Sequence, residues 1–583
     1  MSSQRRRNCG IVFLTVLFAP ALQVLGGEPS FTKRSDFKVR MSDGVNLAVN
    51  VYLPKIGTEF ATVLMRTPYS KNGMGWIAEP LAEAGYAVVV QDVRGQFASQ
   101  GTFIPFIFEK KDGIETLDWV AKQPWCDGNI GMWGPSYLGY CALIVTPEGH
   151  PHLKTVINAA GWGDTTLMTA PGGAMHLMVA LPWTLSSQIS SGGPSGGIKW
   201  DEAFQRTPVI EIPTFYGMDS RPWKGMVELS SSPDTDSNMN ISRRYEDIKI
   251  PTFHISGWYD FVGPTTIDAF EGIDRAARKR NGAMHKLFVG PWLHGQIYNG
   301  GTRIGEEDFP PSINVGVDKL ADMSVRWFDQ WLRGKDTGIT MEKPVELFVM
   351  GENRWRKFDQ WPPKRTRFEP WYFGSDKGAN STAGDGSLSG TEPARSGEDR
   401  FVYDPMNPTP TTGGSNSHVF PDNTGIKDQR EVEKRSDVLV YTSEVLERDM
   451  TIIGPVKAVI FAATEGRHTD FTAKLVEVRP DGYAANIVDA IKRGPDPIDG
   501  KRVEHMEPGK VYRFTVDMDA TAITIKRGHR LRIEVSSSNF PKYTRNPNTG
   551  EVPEYATEFR KVLQTVHHSP EYPSHVSLPV MQR

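Results

Sequence analysis

The chain has 583 residues, too many for one ordinary domain, and this length suggests roughly three to four units of about 150 residues. Its 66 basic and 69 acidic residues nearly cancel, to a formal charge of -3, and no long basic stripe appears, so nucleic acid is excluded as an expected partner. A hydrophobic fraction of 39%, with 15 Trp and 28 Phe, is ample for several cores and excludes a disordered chain.

The first 27 residues differ from the rest. Arg5, Arg6 and Arg7 make a positive start. Ile11 to Leu22 is an apolar run broken only by Thr15 and Pro20, and the small residues Gly26 and Gly27 follow. That pattern predicts a secretory signal peptide over 1–27. The apolar run is short for a membrane span; an uncleaved anchor is the alternative. No later stretch reaches spanning length. The mature protein is therefore expected to be secreted or periplasmic, with no membrane contact once the leader is removed. Cys9 lies in the leader, which leaves Cys126 and Cys141. A strand at Asn129–Trp133 carries the chain about 3.3 Å per residue away from Cys126, and a helix from Ser136 returns only about 1.5 Å per residue. The two thiols are then more than ~10 Å apart, beyond disulfide reach.

Six short apolar runs read as buried strands: Ala61–Met65, Tyr86–Gln91, Asn129–Trp133, Lys154–Ala159, Pro251–Ser256 and Lys286–Val289. Helical spacing of apolar residues appears between them, at Trp76–Ala84 and Lys111–Ala121. Strands alternating with helices predict a parallel sheet covered on both faces. Residues 165–245 lack strand alternation and carry glycine-rich turns such as Ser190–Gly197; they read as a helical cap inserted over the sheet. The sheet domain then comprises 28–164 and 246–364. From 365 to 583, turn-bounded strands dominate: Arg367–Phe373, Val438–Thr442, Lys457–Ala462, Asp470–Val478, Val511–Val516 and Arg530–Ser536. This part reads as an all-β sandwich of jelly-roll type. The fold class is thus α/β with an inserted cap and a C-terminal jelly roll.

Residues 131–140 read Gly-Met-Trp-Gly-Pro-Ser-Tyr-Leu-Gly-Tyr. Ser136 falls between a predicted strand and a predicted helix, at the strand's carboxyl end, where chemistry collects in parallel sheets. The nucleophile-elbow pattern is Gly-x-Ser-x-Gly; here the second glycine, Gly139, is one place late. A helix-capping serine is the plain alternative. A serine hydroxyl needs a base and an orienting acid. Asp260 follows the strand at Pro251–Ser256, and His294 follows the strand at Lys286–Val289. They stand in the chain order Ser, Asp, His and past adjacent strand ends. His254 lies inside a strand and His285 before one, so both fit the role less well. The pair His567-His568 has no neighbours at metal-ligand spacing. The oxyanion donors expected are the Tyr137 amide, next to the serine, and Tyr69 in the loop Arg66-Thr67-Pro68-Tyr69. No metal or organic cofactor is expected.

These blocks resemble the cocaine esterase-like hydrolases, which belong with the Xaa-Pro dipeptidyl peptidases and related acylases. The resemblance rests on Arg66-Thr67-Pro68-Tyr69, Gln91-Asp92-Val93-Arg94-Gly95, Trp125-Cys126-Asp127-Gly128-Asn129-Ile130-Gly131-Met132, Gly134-Pro135-Ser136-Tyr137-Leu138-Gly139, Gly257-Trp258-Tyr259-Asp260 and Gly290-Pro291-Trp292-Leu293-His294. In the last domain it rests on Asp470-Phe471-Thr472-Ala473-Lys474-Leu475 and the stretch Val535–Tyr543. The family carries its second glycine at the late position. The resemblance implies an α/β-hydrolase domain, an inserted cap and a jelly roll. It implies Ser136 as nucleophile, Asp260 and His294 as its partners, and Tyr69 with the Tyr137 amide as oxyanion donors.

For the substrate pocket, Trp183, Trp200 and Trp223 of the cap are candidate walls, and Phe261 is better placed, directly after Asp260. Relatives that process α-amino-acid esters look to use extra carboxylates near the catalytic Asp; here Phe261, Val262 and Gly263 follow it. The expected substrate is a small ester with an uncharged acyl group. An amide-cleaving acylase or Xaa-Pro peptidase on the same residues is the second enzyme reading. A secreted carbohydrate-binding protein is the reading from another class, favoured if Asp260 or His294 were missing; both are present. A homodimer is left open.

Overall fold

The computed structural model describes residues 28–190, 197–231, 239–280, 282, 284–417 and 419–582. The predicted leader at 1–27 lies outside the described residues, as does most of the Ser190–Gly197 turn.

The first domain is built on a sheet of ten strands. These are β1 (Phe31–Arg40), β2 (Asn46–Pro54), β3 (Phe60–Thr67), β4 (Ala87–Asp92), β5 (Cys126–Pro135), β6 (Leu153–Ala159), β7 (Thr252–Tyr259), β8 (His285–Leu293), β9 (Val345–Val349) and β10 (Arg354–Phe358). Their order is β1-β2-β4-β3-β5-β6-β7-β8-β9-β10. From β4 to β9 neighbours run parallel. β1, β2 and β10 add antiparallel margins.

Burial explains which strands the sequence reveals. β4 and β7 are buried end to end, because helices cover both faces. Alternate residues serve opposite cores: Val63, Met65, Val88 and Val90 pack in one, Leu64 and Val89 in the other. Helices α1 (Gly75–Glu83) and Gly316–Leu332 close the first core; α2 (Glu109–Ala121) and α3 (Tyr137–Leu143) close the second. β1 was not foreseen. Its middle residues are exposed and largely charged or polar, as suits an edge strand, and leave no apolar run.

Between β6 and β7 the chain leaves the sheet and forms helices that include Thr165–Thr169, Leu177–Ser190, Trp200–Gln205 and Arg221–Ser231. This segment is tied to the C-terminal domain by backbone bonds. Thr544 N–H donates to Met175 O at 3.0 Å, and Ile210 N–H to Glu554 O at 3.0 Å.

The C-terminal domain is all β, with eleven strands among its described residues, between Thr366 and Met581. Its longest pairing joins Met450–Thr464 to Tyr512–Ile525. Five strands escaped the sequence reading: Ser387–Ser389, Glu398–Tyr403, Ala484–Arg493, Val562–His567 and His575–Met581. Glu398–Tyr403 shows why. It alternates exposed and buried residues, so it has no continuous apolar run. Cys126 and Cys141 are separate free thiols. No helix among the described residues is long and apolar enough to cross a membrane.

Candidate active site

β5 runs straight into α3, and Ser136 is the corner residue. Its φ of 54° and ψ of -126° are strained for a residue with a side chain. Two bonds hold the corner: Ser136 N–H donates to Ala159 O at 2.8 Å, and Tyr140 N–H to Ser136 O at 3.1 Å. The glycines are there for space. A Cβ on Gly134 would lie 2.3 Å from the Leu138 carbonyl carbon. A Cβ on Gly139 would lie 2.4 Å from Asn158 Oδ1 and 3.1 Å from Gly161 Cα. The late glycine is thus where α3 presses on the end of β6.

Asp260 directly follows β7, and His294 directly follows β8, which runs four residues beyond the predicted end at Val289. The parallel register brings both ends beside the corner. His294 Nδ1 lies 2.8 Å from Asp260 Oδ1, and His294 Nε2 lies 3.1 Å from Ser136 Oγ. Asp260 Oδ1 also accepts the Val262 N–H at 3.0 Å. An ionised carboxylate only accepts, so Nδ1 carries the proton and Nε2 turns its lone pair to the hydroxyl. Asp260 and His294 are buried, and Ser136 is half-buried and reachable. A hydroxyl bonded to an imidazole that a buried carboxylate orients is the arrangement by which serine attacks a carbonyl. His254, His285 and His568 lie elsewhere. His285 opens β8 instead of preceding it, and His254 and His285 both bond Thr252 inside the sheet. His568 bonds Asp399 and Ser375. Among the described residues no group of three or more His, Cys, Asp or Glu is placed to hold a metal.

Tyr69 reaches the same corner from the loop after β3. Its hydroxyl accepts Trp183 Nε1–H at 3.0 Å and lies close enough to Ser136 to interact with it. Desolvation pushes its pKa up to about 12, with Trp183 and Ser136 opposing, so the phenol stays protonated. The quoted motifs hold this loop. Arg66 is fully buried and donates to Gln91 Oε1 at 2.8 Å and to Glu109 O at 2.6 Å. Asp92 accepts the Lys71 N–H at 2.6 Å. The Tyr137 N–H opens α3 and so lacks an intrahelical acceptor. The Tyr137 side chain turns the other way, into the core, where its hydroxyl donates to Glu109 Oε1 at 2.8 Å.

A cavity of about 400 Å³, its open mouth included, leads to Ser136. Phe261 and Trp183 line it. Phe261 lies 4.4 Å from the His294 ring, centroid to centroid. Trp200 and Trp223 do not line it. Trp223 is buried and donates to Val209 O at 3.0 Å, while Trp200 packs on Phe204 and Phe420. Sequence reasoning missed Phe106, Trp162, His176 and Met226, which also form walls. Trp162 carried a usable signal, since it stands just past the end of β6. Phe106 carried none: it is held at φ 72° in an irregular loop, stacked on Tyr137 and Trp183. Among the described lining residues none is Asp or Glu.

Fold and site together place the chain among the α/β-hydrolases. Comparison with known proteins refines this. Residues 43–296 match the X-Pro dipeptidyl-peptidase (S15 family) model, and residues 337–577 match the model of the X-Pro dipeptidyl-peptidase C-terminal non-catalytic domain. A cocaine esterase from Rhodococcus sp. (strain MB1 Bresler) is 33% identical, over 95% of this chain and 99% of its own. A solved α-amino acid ester hydrolase superposes with a TM-score of 0.80 at 25% identity, covering 97% of this chain and all of its own. A solved aminopeptidase from a Thaumarchaeota archaeon of marine sediment has a TM-score of 0.81 at 24% identity, covers 96% of this chain and 98% of its own, and shares the fold. The chain belongs to the X-Pro dipeptidyl-peptidase (S15) family, among its cocaine esterase-like serine hydrolases.

Proposed function

We propose that the chain is an exported serine esterase that cleaves carboxylic esters of uncharged acyl groups through an acyl-enzyme. The observation that carries this is the hydrogen-bonded series Ser136–His294–Asp260 at the floor of an apolar pocket. Export is supported by the leader-like composition of residues 1–27.

His294 takes the hydroxyl proton as Ser136 Oγ bonds to the ester carbonyl carbon. The carbonyl oxygen becomes an oxyanion, held by the Tyr69 hydroxyl and the Tyr137 N–H. The intermediate collapses, the C–O bond to the alcohol breaks, and His294 gives the alcohol its proton. Water then attacks the acyl-enzyme, with His294 again taking and returning a proton, and the acid leaves. Asp260 holds the imidazole and stabilises its charged form throughout. An ammonium-bearing acyl group finds no carboxylate among the described pocket residues, which argues against amino-acid esters. Amide cleavage on the same residues is the second reading, favoured by the match to the peptidase model.

The test is hydrolysis of aryl and alkyl esters and matched anilides by the native protein and Ser136→Ala. Ester turnover should fall by on the order of 10⁴ or more in the variant. Esters should be cleaved faster than anilides; the reverse ratio would make the protein an acylase.

A further inference from the structure

His176 lines the pocket but has no part in the chemistry above. It stands at the entry to the helix Leu177–Ser190 and is 2% exposed. Neither of its ring nitrogens has a hydrogen-bond partner among the described residues. Phe261 meets the ring edge-on, at 6.0 Å between centroids and 87° between planes. Tyr543 of the β domain covers it at 5.5 Å. Phe261 in turn touches the His294 ring, so His176 lies one aromatic ring from the proposed base.

A neutral imidazole carries one N–H and one lone pair, and buried polar groups rarely lack partners. Ionisation does not resolve the mismatch. Burial, helped by the Lys542 charge, pushes the ring's pKa down to about 3, so it is neutral under ordinary conditions. Asn416 is the one side chain that favours the charged ring. Its amide N–H groups are committed to Gly413 O and Asn423 O, and its Oδ1 makes no hydrogen bond among the described residues, so it approaches the ring without pairing with it. Because His176 lines the pocket, a bound substrate can supply the partner that the ring lacks. A hydroxyl suits it in either tautomer, because a hydroxyl both donates and accepts. The surrounding walls, Met168, Val179, Trp183 and Met226, ask for an otherwise apolar group.

We propose that His176 is the specificity residue of the pocket and hydrogen-bonds a hydroxyl on the acyl group, so that esters of hydroxy acids are preferred over esters of plain alkanoic acids. This rests on the reading of Ser136 as nucleophile and of the cavity as the acyl site. A site built to bond a substrate hydroxyl discriminates far more strongly than an apolar pocket does, because the analogue leaves a buried polar group unpaired.

The test compares phenyl esters of α-, β- and δ-hydroxy acids, each with the ester carrying a methyl group in place of the hydroxyl. At least one hydroxy ester should exceed its isostere by tenfold or more in kcat/KM. That ratio should collapse toward unity in His176→Phe and survive in part in His176→Gln, with thermal unfolding followed to check that each variant folds. Ratios near unity for every pair in the native protein would overturn the proposal, whatever the variants do. So would an unchanged ratio in a folded His176→Phe. If the native protein cleaves none of the esters, the hydrolase reading falls and takes this proposal with it. Turnover of the plain esters tells the two failures apart.

Discussion

Tyr69 links the loop chemistry to a measurable rate. Its hydroxyl sits between Trp183 Nε1–H and Ser136, where an oxyanion donor is needed. Tyr69→Phe should lower kcat by about 10²–10³, with KM changed much less, as loss of one oxyanion donor does. The sign of the pH effect follows from the raised pKa. The protonated form is favoured, so the donor persists as pH rises past the ordinary value of 10.0 toward about 12. Tyr69→Phe should therefore lower the pH–rate profile without reshaping it below pH 10. An unchanged kcat would remove the phenol from the mechanism.

At the scale of elements, the β5-to-α3 corner depends on missing side chains. Gly139→Ala puts a methyl group 2.4 Å from Asn158 Oδ1 and against two backbone atoms, Gly134 O at 2.9 Å and Gly161 Cα at 3.1 Å. It should destabilise the fold by about 1–3 kcal/mol and lower kcat by displacing Ser136. Gly225, in the helix Arg221–Ser231, is the control. Nothing among the described residues lies within 4 Å of its added Cβ, so Gly225→Ala should be neutral or stabilise by up to ~1 kcal/mol. Thermal unfolding and steady-state kinetics on both variants check this. Equal effects would contradict the role assigned to the late glycine.

The same corner shows what the sequence could reveal. Buried parallel strands write dense apolar runs, and Ser136, Asp260 and His294 each sit just past one, so their meeting was legible. The pocket was not. Phe106, Trp162, His176 and Met226 come from separate segments, and the aromatic and Met residues among them are of the types that also fill cores. Trp200 and Trp223 had the same composition cue as Trp183 but pack away from the cavity. Edge and alternating strands such as β1 and Glu398–Tyr403 leave no run to find.

Across the whole molecule, the β domain completes the pocket's support. A Cβ on Gly172, in the turn before the helix Leu177–Ser190, would lie 1.8 Å from Ile491 O, so the two segments are in backbone contact. Two residues on, Arg493 is buried and pairs with Asp470 at 2.8 Å and with Glu554 at 3.3 Å. Arg493→Met strands two buried carboxylates and should cost on the order of 3–5 kcal/mol. Because Ile491 and Tyr543 pack with Ala174, the change should also raise KM for esters. Denaturant unfolding and kinetics test both parts. A destabilised variant with an unchanged KM would confine Arg493 to the stability of its own domain.

The most direct measurement is the mass of the protein quenched in acid during turnover of a slowly deacylating aryl ester, followed by peptide mapping. One acyl group on the peptide that contains Ser136, absent from Ser136→Ala, is the predicted result. An acyl group on another residue, or none while Ser136→Ala still turns over the ester, would contradict the account.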